Sequence, residues 1–224
     1  MRNLLFENSL KLELNVIGYH DQGESIVFFI KTDDVVAYTG LVDCYKTEEQ
    51  NVLKLLLEKE GVQKIDFVCW THPHDDHTVG LDEIWSQYCT EETRFCCTDI
   101  IPEDSGLYSA EAMAIFEDIK NVHKSRKIKK LRIMYLKDST LAEKLQCAGN
   151  ANRYEFKIQS FAPNSAILGE RLIGDKEEKG NVEKEDVGEE YGIIKTIFDI
   201  LEQNEFIETE LIGEATVYKK EIAG

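Results

Sequence analysis

Residues 65–77 read "IDFVCWTHPHDDH", an almost wholly apolar hexapeptide run directly into three of the chain's five histidines and two adjacent aspartates. A short apolar run of this kind, bounded by turn residues, predicts a strand buried on both faces. Side chains converge at the tips of such strands in open α/β layers, because the backbone there stops pairing. His72 and His74 lie two apart, so on an extended backbone their imidazoles point to one side and can share an ion. Asp76 and His77 follow after the chain has turned, where a carboxylate and a third imidazole can hold a second ion. Such donors suit zinc, and also iron or manganese. Pro73 stiffens the turn and lowers the entropy lost in fixing the ligands. The plain alternative is a histidine-rich surface turn. Five metal-competent side chains in seven residues, placed straight after a buried strand, argue against it.

Outward from this stretch, "LDEIWSQY" at residues 81–88 begins the next helix. Upstream, "TEEQNVLKLLLEKEG" at 47–61 predicts another, with Thr47 as cap, Gln50 three residues on and Gly61 as its stop. Before it, "LKLELNVIG" alternates like a half-buried strand. "ESIVFFIKT" and "VVAYTGLVDC" follow, parted by the turn-like Thr32-Asp33-Asp34, so the first part of the chain reads as a meander. Downstream come a helix capped by Ser109, strands at 131–136 and 154–163, and a charge-rich run from Asp175 to Glu190 with the composition of a loop or linker. A helix at 191–203 and a strand at 208–220 complete the pattern, which predicts a layered α/β domain with a mixed sheet.

The 224 residues suffice for one domain with a real core, and the 42% hydrophobic and 9% aromatic content is that of a folded protein. A net charge of −17 repels phosphate backbones and anionic membranes, so nucleic acid is not favoured as a partner. The basic stretch "HKSRKIKK" at 123–130 reads as a solvated helix end. No run approaches the ~18 apolar residues of a membrane span. The N-terminal segment, broken by Glu7, Asn8, Lys11 and Glu13, does not read as a signal peptide. Six cysteines without framework spacing read as reduced thiols, and the expected location is cytoplasmic with no membrane association.

At residues 72–77 the chain resembles the His-x-His-x-Asp-His signature of the metallo-β-lactamase superfamily, and "VQKIDFVCWTHPHDDHTVGLDEI" is similar to that family's strand, metal loop and following helix. "QGESIVFFI" resembles its first hairpin, with Glu24 where Asp is usual. "GLVDC" resembles the strand that ends in a conserved Asp, here Asp43, and "FAPNSA" at 161–166 resembles a late Pro-Asn-Ser stretch. The wording is closest to the branch related to the hydrolase domain of the DNA-uptake channel protein. The match is strong over residues 10–90, looser to about 166 and absent beyond.

The resemblance implies an αββα sandwich over residues 1–170, incomplete at the C-terminus, then an acidic loop or linker over 171–190. A C-terminal helix and strand over 191–224 would pack on the same domain. It also implies a two-metal hydrolase in which a bridging hydroxide attacks an ester, amide or phosphodiester-type bond of a small-molecule or phosphodiester substrate. By position, His72 and His74 would serve the first ion, and Asp76 and His77 the second, with Asp76 also orienting the nucleophile. Asp43 would support the loop from outside the ligand set.

The family completes its site with two further histidines and a bridging aspartate. Downstream of His77 the chain has only His123, which reads as solvent-facing on a helix. Asp175, in "LIGD", is the one candidate for the bridging aspartate. Cys69 reads as a small core residue, and Cys147 lies in the loop-like "QCAGNANR". The chain therefore reads either as a divergent hydrolase with fewer ligands, as one whose late segment was replaced, or as a non-catalytic member acting as a binding protein.

Overall fold

The computed structural model describes residues 2–19, 22–98, 108–124, 132–136, 141–150, 152–159, 207–212 and 215–223. The strands are β1 (Arg2–Leu5), β2 (Leu10–Gly18), β3 (Glu24–Thr32), β4 (Val35–Val42), β5 (Phe67–Trp70), β6 (Arg94–Thr98), β7 (Arg132–Leu136), β8 (Leu141–Ala148), β9 (Arg153–Gln159), β10 (Ile207–Ile212) and β11 (Ala215–Ala223). The helices are α1 (Val52–Lys59), α2 (Leu81–Tyr88) and α3 (Ala110–Lys124), and a 3-10 turn spans Asp75–His77.

Eight strands form one mixed sheet in the order β10-β11-β2-β3-β4-β5-β6-β7, and β1-β8-β9 form a second. The large sheet has two halves. From β10 to β4 every pairing is antiparallel; from β4 to β7 every pairing is parallel. The β3–β4 hairpin turns at Asp33 and Asp34, whose φ angles of 52° and 64° fit a two-residue turn matched to strand twist. The Asp33 carboxylate accepts the backbone N–H groups of Glu7, Asn8 and Ser9, tying down the approach to β2.

Each parallel step carries one helix, and the strands advance in a single direction from β4 to β7. Right-handed crossovers then place all three helices on the same face. One core accordingly joins Phe29, Leu41, Val68 and Phe95 of the sheet to Leu53, Leu57, Ile84 and Phe116 of the helices. A second core joins Phe28, Tyr38, Phe67 and Cys96 on the opposite face to Leu145 and Cys147 of the small sheet. Neighbours such as Phe28 and Phe29, or Phe67 and Val68, thus bury into different cores, which explains the unbroken apolar runs. A polar network crosses between the sheets: Glu143 accepts from Tyr38 Oη at 3.2 Å and Arg94 Nη1 at 3.1 Å, while Arg2 pairs with Asp66.

This arrangement corrects the expected αββα sandwich. Among the described residues strand far outweighs helix, one large mixed sheet organises them, and the helices form a single layer. A one-way strand progression needs only one helical face, and the other face is taken by the three-stranded sheet. Residues 160–206, which include the expected linker and C-terminal helix, lie outside the described residues; the expected single C-terminal strand is two strands, β10 and β11, which extend the large sheet from β2. Helix α1 begins at Val52 rather than in the 47–50 segment. Asn51 is its cap, with the side chain accepting the Lys54 N–H at 3.1 Å.

Glu83 of α2 ties this region together, accepting from Lys54 Nζ at 2.9 Å and Lys46 Nζ at 3.1 Å. The Lys54 contact, then Lys46 and Asn51, pull its carboxyl down to about 2 against a smaller effect of burial. A carboxyl lowered on folding contributes stability above its unfolded value, and that contribution fades as pH falls through the folded one. We expect Glu83→Gln to cost about 1 kcal/mol near neutrality. In urea titrations the gap from wild type should close between about pH 5 and about pH 2; a gap independent of pH would count against the assignment.

Candidate metal centre

Strand β4 is antiparallel to β3 and parallel to β5, so the start of β3 and the ends of β4 and β5 meet at the same end of the sheet's strands, well inside its lateral edges. Ile26 lies opposite Val42, and Val42 opposite Cys69. The candidate site is built at that end.

Asp43, immediately after β4, is 5% exposed and has φ of 55°, a left-handed backbone. Its N–H donates to the Cys69 carbonyl at 2.9 Å, carrying the ladder one step past the strand. Its carboxylate closes over the end of β5. Oδ1 accepts the Thr71 N–H at 2.7 Å; Oδ2 accepts the Thr71 hydroxyl at 2.6 Å and His77 Nδ1 at 2.8 Å. The next residue, Cys44, donates its N–H to the His77 carbonyl at 3.1 Å. Two consecutive residues therefore hold both ends of the 71–77 loop.

Within the loop, the His74 carbonyl accepts the Thr78 hydroxyl at 2.6 Å and the His77 N–H at 3.1 Å. Trp70 Nε1 donates to the same Thr78 hydroxyl at 3.0 Å. This closes the 3-10 turn and swings Asp76 and His77 back over His72, whose ring centroid lies 3.9 Å from that of His77. One ligand atom from each of His72, Asp76 and His77 falls within 4.8 Å of the others.

The donors suit a small cation. With His77 Nδ1 engaged by Asp43, Nε2 is the atom left for coordination, and it stands 3.4 Å from Asp76 Oδ2. Zinc bonds of ~2.0–2.1 Å in a tetrahedral site separate ligand atoms by roughly 3.3 Å. The side chain of Asp76 is 49% exposed, that of His77 only 13%, so the group is open to solvent on the carboxylate side.

Electrostatics point the same way. Burial, with Asp43 and Asp76 nearby, raises the Glu24 carboxyl above its usual range despite the lowering effect of His77. Burial, then the neighbouring His77, lowers His72 and favours the neutral ring that binds metal. Burial also opposes charge on His77, but the Asp43 hydrogen bond and the charges of Asp43, Asp76 and Glu24 outweigh it and raise that group. A cation here would relieve crowding among carboxylates. An open depression of about 450 Å³, bordered by Gln22, Tyr45, Lys46 and Val79 among others, adjoins the loop without reaching the three donors.

The structure brings together Asp43, His72, Asp76 and His77, but not in the expected pairs. His74 stands outside the three-donor group, its ring 4.7 Å from that of His72 by centroid, because β5 ends at Trp70 and the turn regroups the ligands. Asp175 lies outside the described residues, and His123 falls within α3. Cys69 sits on β5 against the inter-sheet core, and Cys147 is buried in β8 rather than in a loop. Three contributors carried little signal in the sequence: Thr71, Glu24 and Gly23. A Cβ on Gly23 would lie 2.7 Å from the Asp76 carbonyl oxygen and 2.5 Å from the Tyr45 ring, so the absence of a side chain there lets β3 approach the loop. Their sequence cue is membership of the quoted motifs, Gly23 and Glu24 in the first hairpin and Thr71 at the head of the histidine loop, with nothing that states their contacts.

No protein-family model and no curated protein matches this chain.

Asp43→Asn is a clean test of the junction, since asparagine tolerates the left-handed backbone but cannot accept from Thr71 and His77 at both oxygens. The expected loss is about 2–3 kcal/mol in chemical denaturation of the metal-free protein. A change below a few tenths would show that the carboxylate does not hold the loop.

Proposed function

We propose that the chain is a metal-dependent hydrolase in which His72, Asp76 and His77 hold a divalent cation, zinc by preference of the donor set, with iron or manganese also suited. The observation that carries this reading is the convergence of three donors within 4.8 Å on a loop whose ends are pinned by Asp43. The likeness of residues 72–77 to the metal loop of the metallo-β-lactamase superfamily supports it. Three protein ligands leave a coordination position for water, the pattern of catalytic rather than structural zinc. A cation held by His72, Asp76 and His77 would supply an acidified water and stabilisation of charge on an attacked carbonyl or phosphoryl group.

The protein's own contribution is positional. Asp43 orients His77, and the 3-10 turn presents the half-exposed Asp76 carboxylate where it can bind the ion, orient a nucleophile or take up its proton. Ester, amide and phosphodiester-type bonds in small substrates fit the reading, and the net charge of −17 disfavours long polyanions. No helix of the described residues is long and apolar enough to cross a membrane. None of the six cysteines, all among the described residues, forms a disulfide, which suits the cytoplasm.

Protein stripped with chelator and dialysed against zinc should retain about one equivalent per chain. His72→Ala/His77→Ala should retain none at this site. A panel of chromogenic ester, lactam and phosphodiester substrates should include at least one that wild type cleaves only when metal-loaded. Failure of wild type to bind zinc, iron or manganese would overturn the reading. Metal binding with no turnover across the panel would leave the ion and remove the hydrolase.

A further inference from the structure

We propose that Thr71 is a positioning residue, whose hydroxyl passes the acceptor character of Asp43 on to His72 and so fixes the tautomer of that ring. The consequence for ion affinity rests on the metal reading above; the tautomer itself follows from hydrogen-bond chemistry alone. A threonine hydroxyl carries one proton and two lone pairs, while a carboxylate only accepts. Thr71 Oγ1 lies 2.6 Å from Asp43 Oδ2, so its proton is committed to that contact. His72 Nδ1 lies 3.1 Å from the same Oγ1, and the hydroxyl has only lone pairs left to offer it. His72 must therefore bring the proton: it is the Nδ1–H tautomer, with Nε2 bare.

His77 reaches the same state directly, through Nδ1 at 2.8 Å from the same Oδ2. One carboxylate oxygen thus sets two imidazoles, one by contact and one through a hydroxyl. Both present Nε2 lone pairs, the condition for binding one ion without first moving a proton between ring nitrogens. A neutral histidine side chain free in water favours the opposite tautomer, so the preference at His72 is imposed by its surroundings.

Two-bond proton–nitrogen NMR spectra of the metal-free protein, at about pH 8 where neutral rings dominate, read the tautomer directly. Wild type and Thr71→Ser should show His72 protonated on Nδ1. Thr71→Val, of the same shape without the hydroxyl, should shift the ring toward Nε2–H. Zinc affinity, measured by competition with a chelating dye, should fall about 10- to 100-fold in Thr71→Val and stay close to wild type in Thr71→Ser, with the metal-free melting temperatures of the two variants as the control for folding. Wild-type His72 protonated on Nε2, or a valine variant with an unchanged tautomer, would overturn the proposal. Should Thr71→Val fail to fold, the wild-type and serine spectra still decide it. Zinc absent from wild type, with the tautomers as expected, would remove the functional reading and leave this one standing.

Discussion

The Asp43 carboxylate is the contact on which the candidate site depends. Two parallel strands end side by side there, and hydrogen bonding between strands cannot by itself hold the loop that follows β5. Asp43 takes a left-handed backbone to aim its side chain across the gap, at a cost of order 1–2 kcal/mol. In return it accepts three hydrogen bonds, from the Thr71 N–H, the Thr71 hydroxyl and His77. Bonds to a charged group in a buried setting contribute about 1.5–3 kcal/mol each. The balance favours the strained conformation with no ion present, so the donors are arranged before any ligand arrives.

Strand β4 is also where the sheet changes character. On one side lies an antiparallel meander, on the other a parallel array with its helices. A strand shared between the two regimes has the start of one neighbour and the end of the other at the same end. That is why Gly23 and Glu24, at the entry to β3, meet a loop that leaves β5. The parallel half supplies the three candidate donors, and the antiparallel half supplies the backbone and charge that crowd them from behind.

What could be read in the sequence was what is local. The candidate donors of the loop fall within seven residues, and α2 starts at the expected Leu81 because its apolar period and the turn residues before it are contiguous. The start of α1 was ambiguous for a physical reason: Thr47 and Asn51 both accept a backbone N–H three residues on, and only one of them opens a helix. The small sheet was legible only in β9, because β1 pairs in parallel with β8, Arg2 opposite Leu145, a contact no local period announces. Buried Glu143 also breaks the apolar alternation of β8. The number of helical layers depends on the direction in which strands advance, and resemblance to a loop does not carry that information. The role of Thr71 is not legible locally, because it exists only in relation to Asp43, 28 positions away.

The order of the large sheet has a consequence for how the chain assembles. Strand β2 is an inner strand only because β11 pairs along it, Gly18 opposite Thr216 and Lys11 opposite Ala223. While the chain is being made, the meander can form long before that partner exists, leaving β2 as an open edge able to recruit a foreign strand. Glu13, midway along β2, guards the interval. Its side chain is 2% exposed in the finished sheet, where Lys31 at 2.7 Å and Lys219 at 3.2 Å neutralise it. Lys219 belongs to β11 itself. A stray strand would have to bury that carboxylate with Lys31 as its one cation beside the Asn15 amide, whereas the correct strand brings a second cation with it, so the edge is closed most readily by the segment that belongs there.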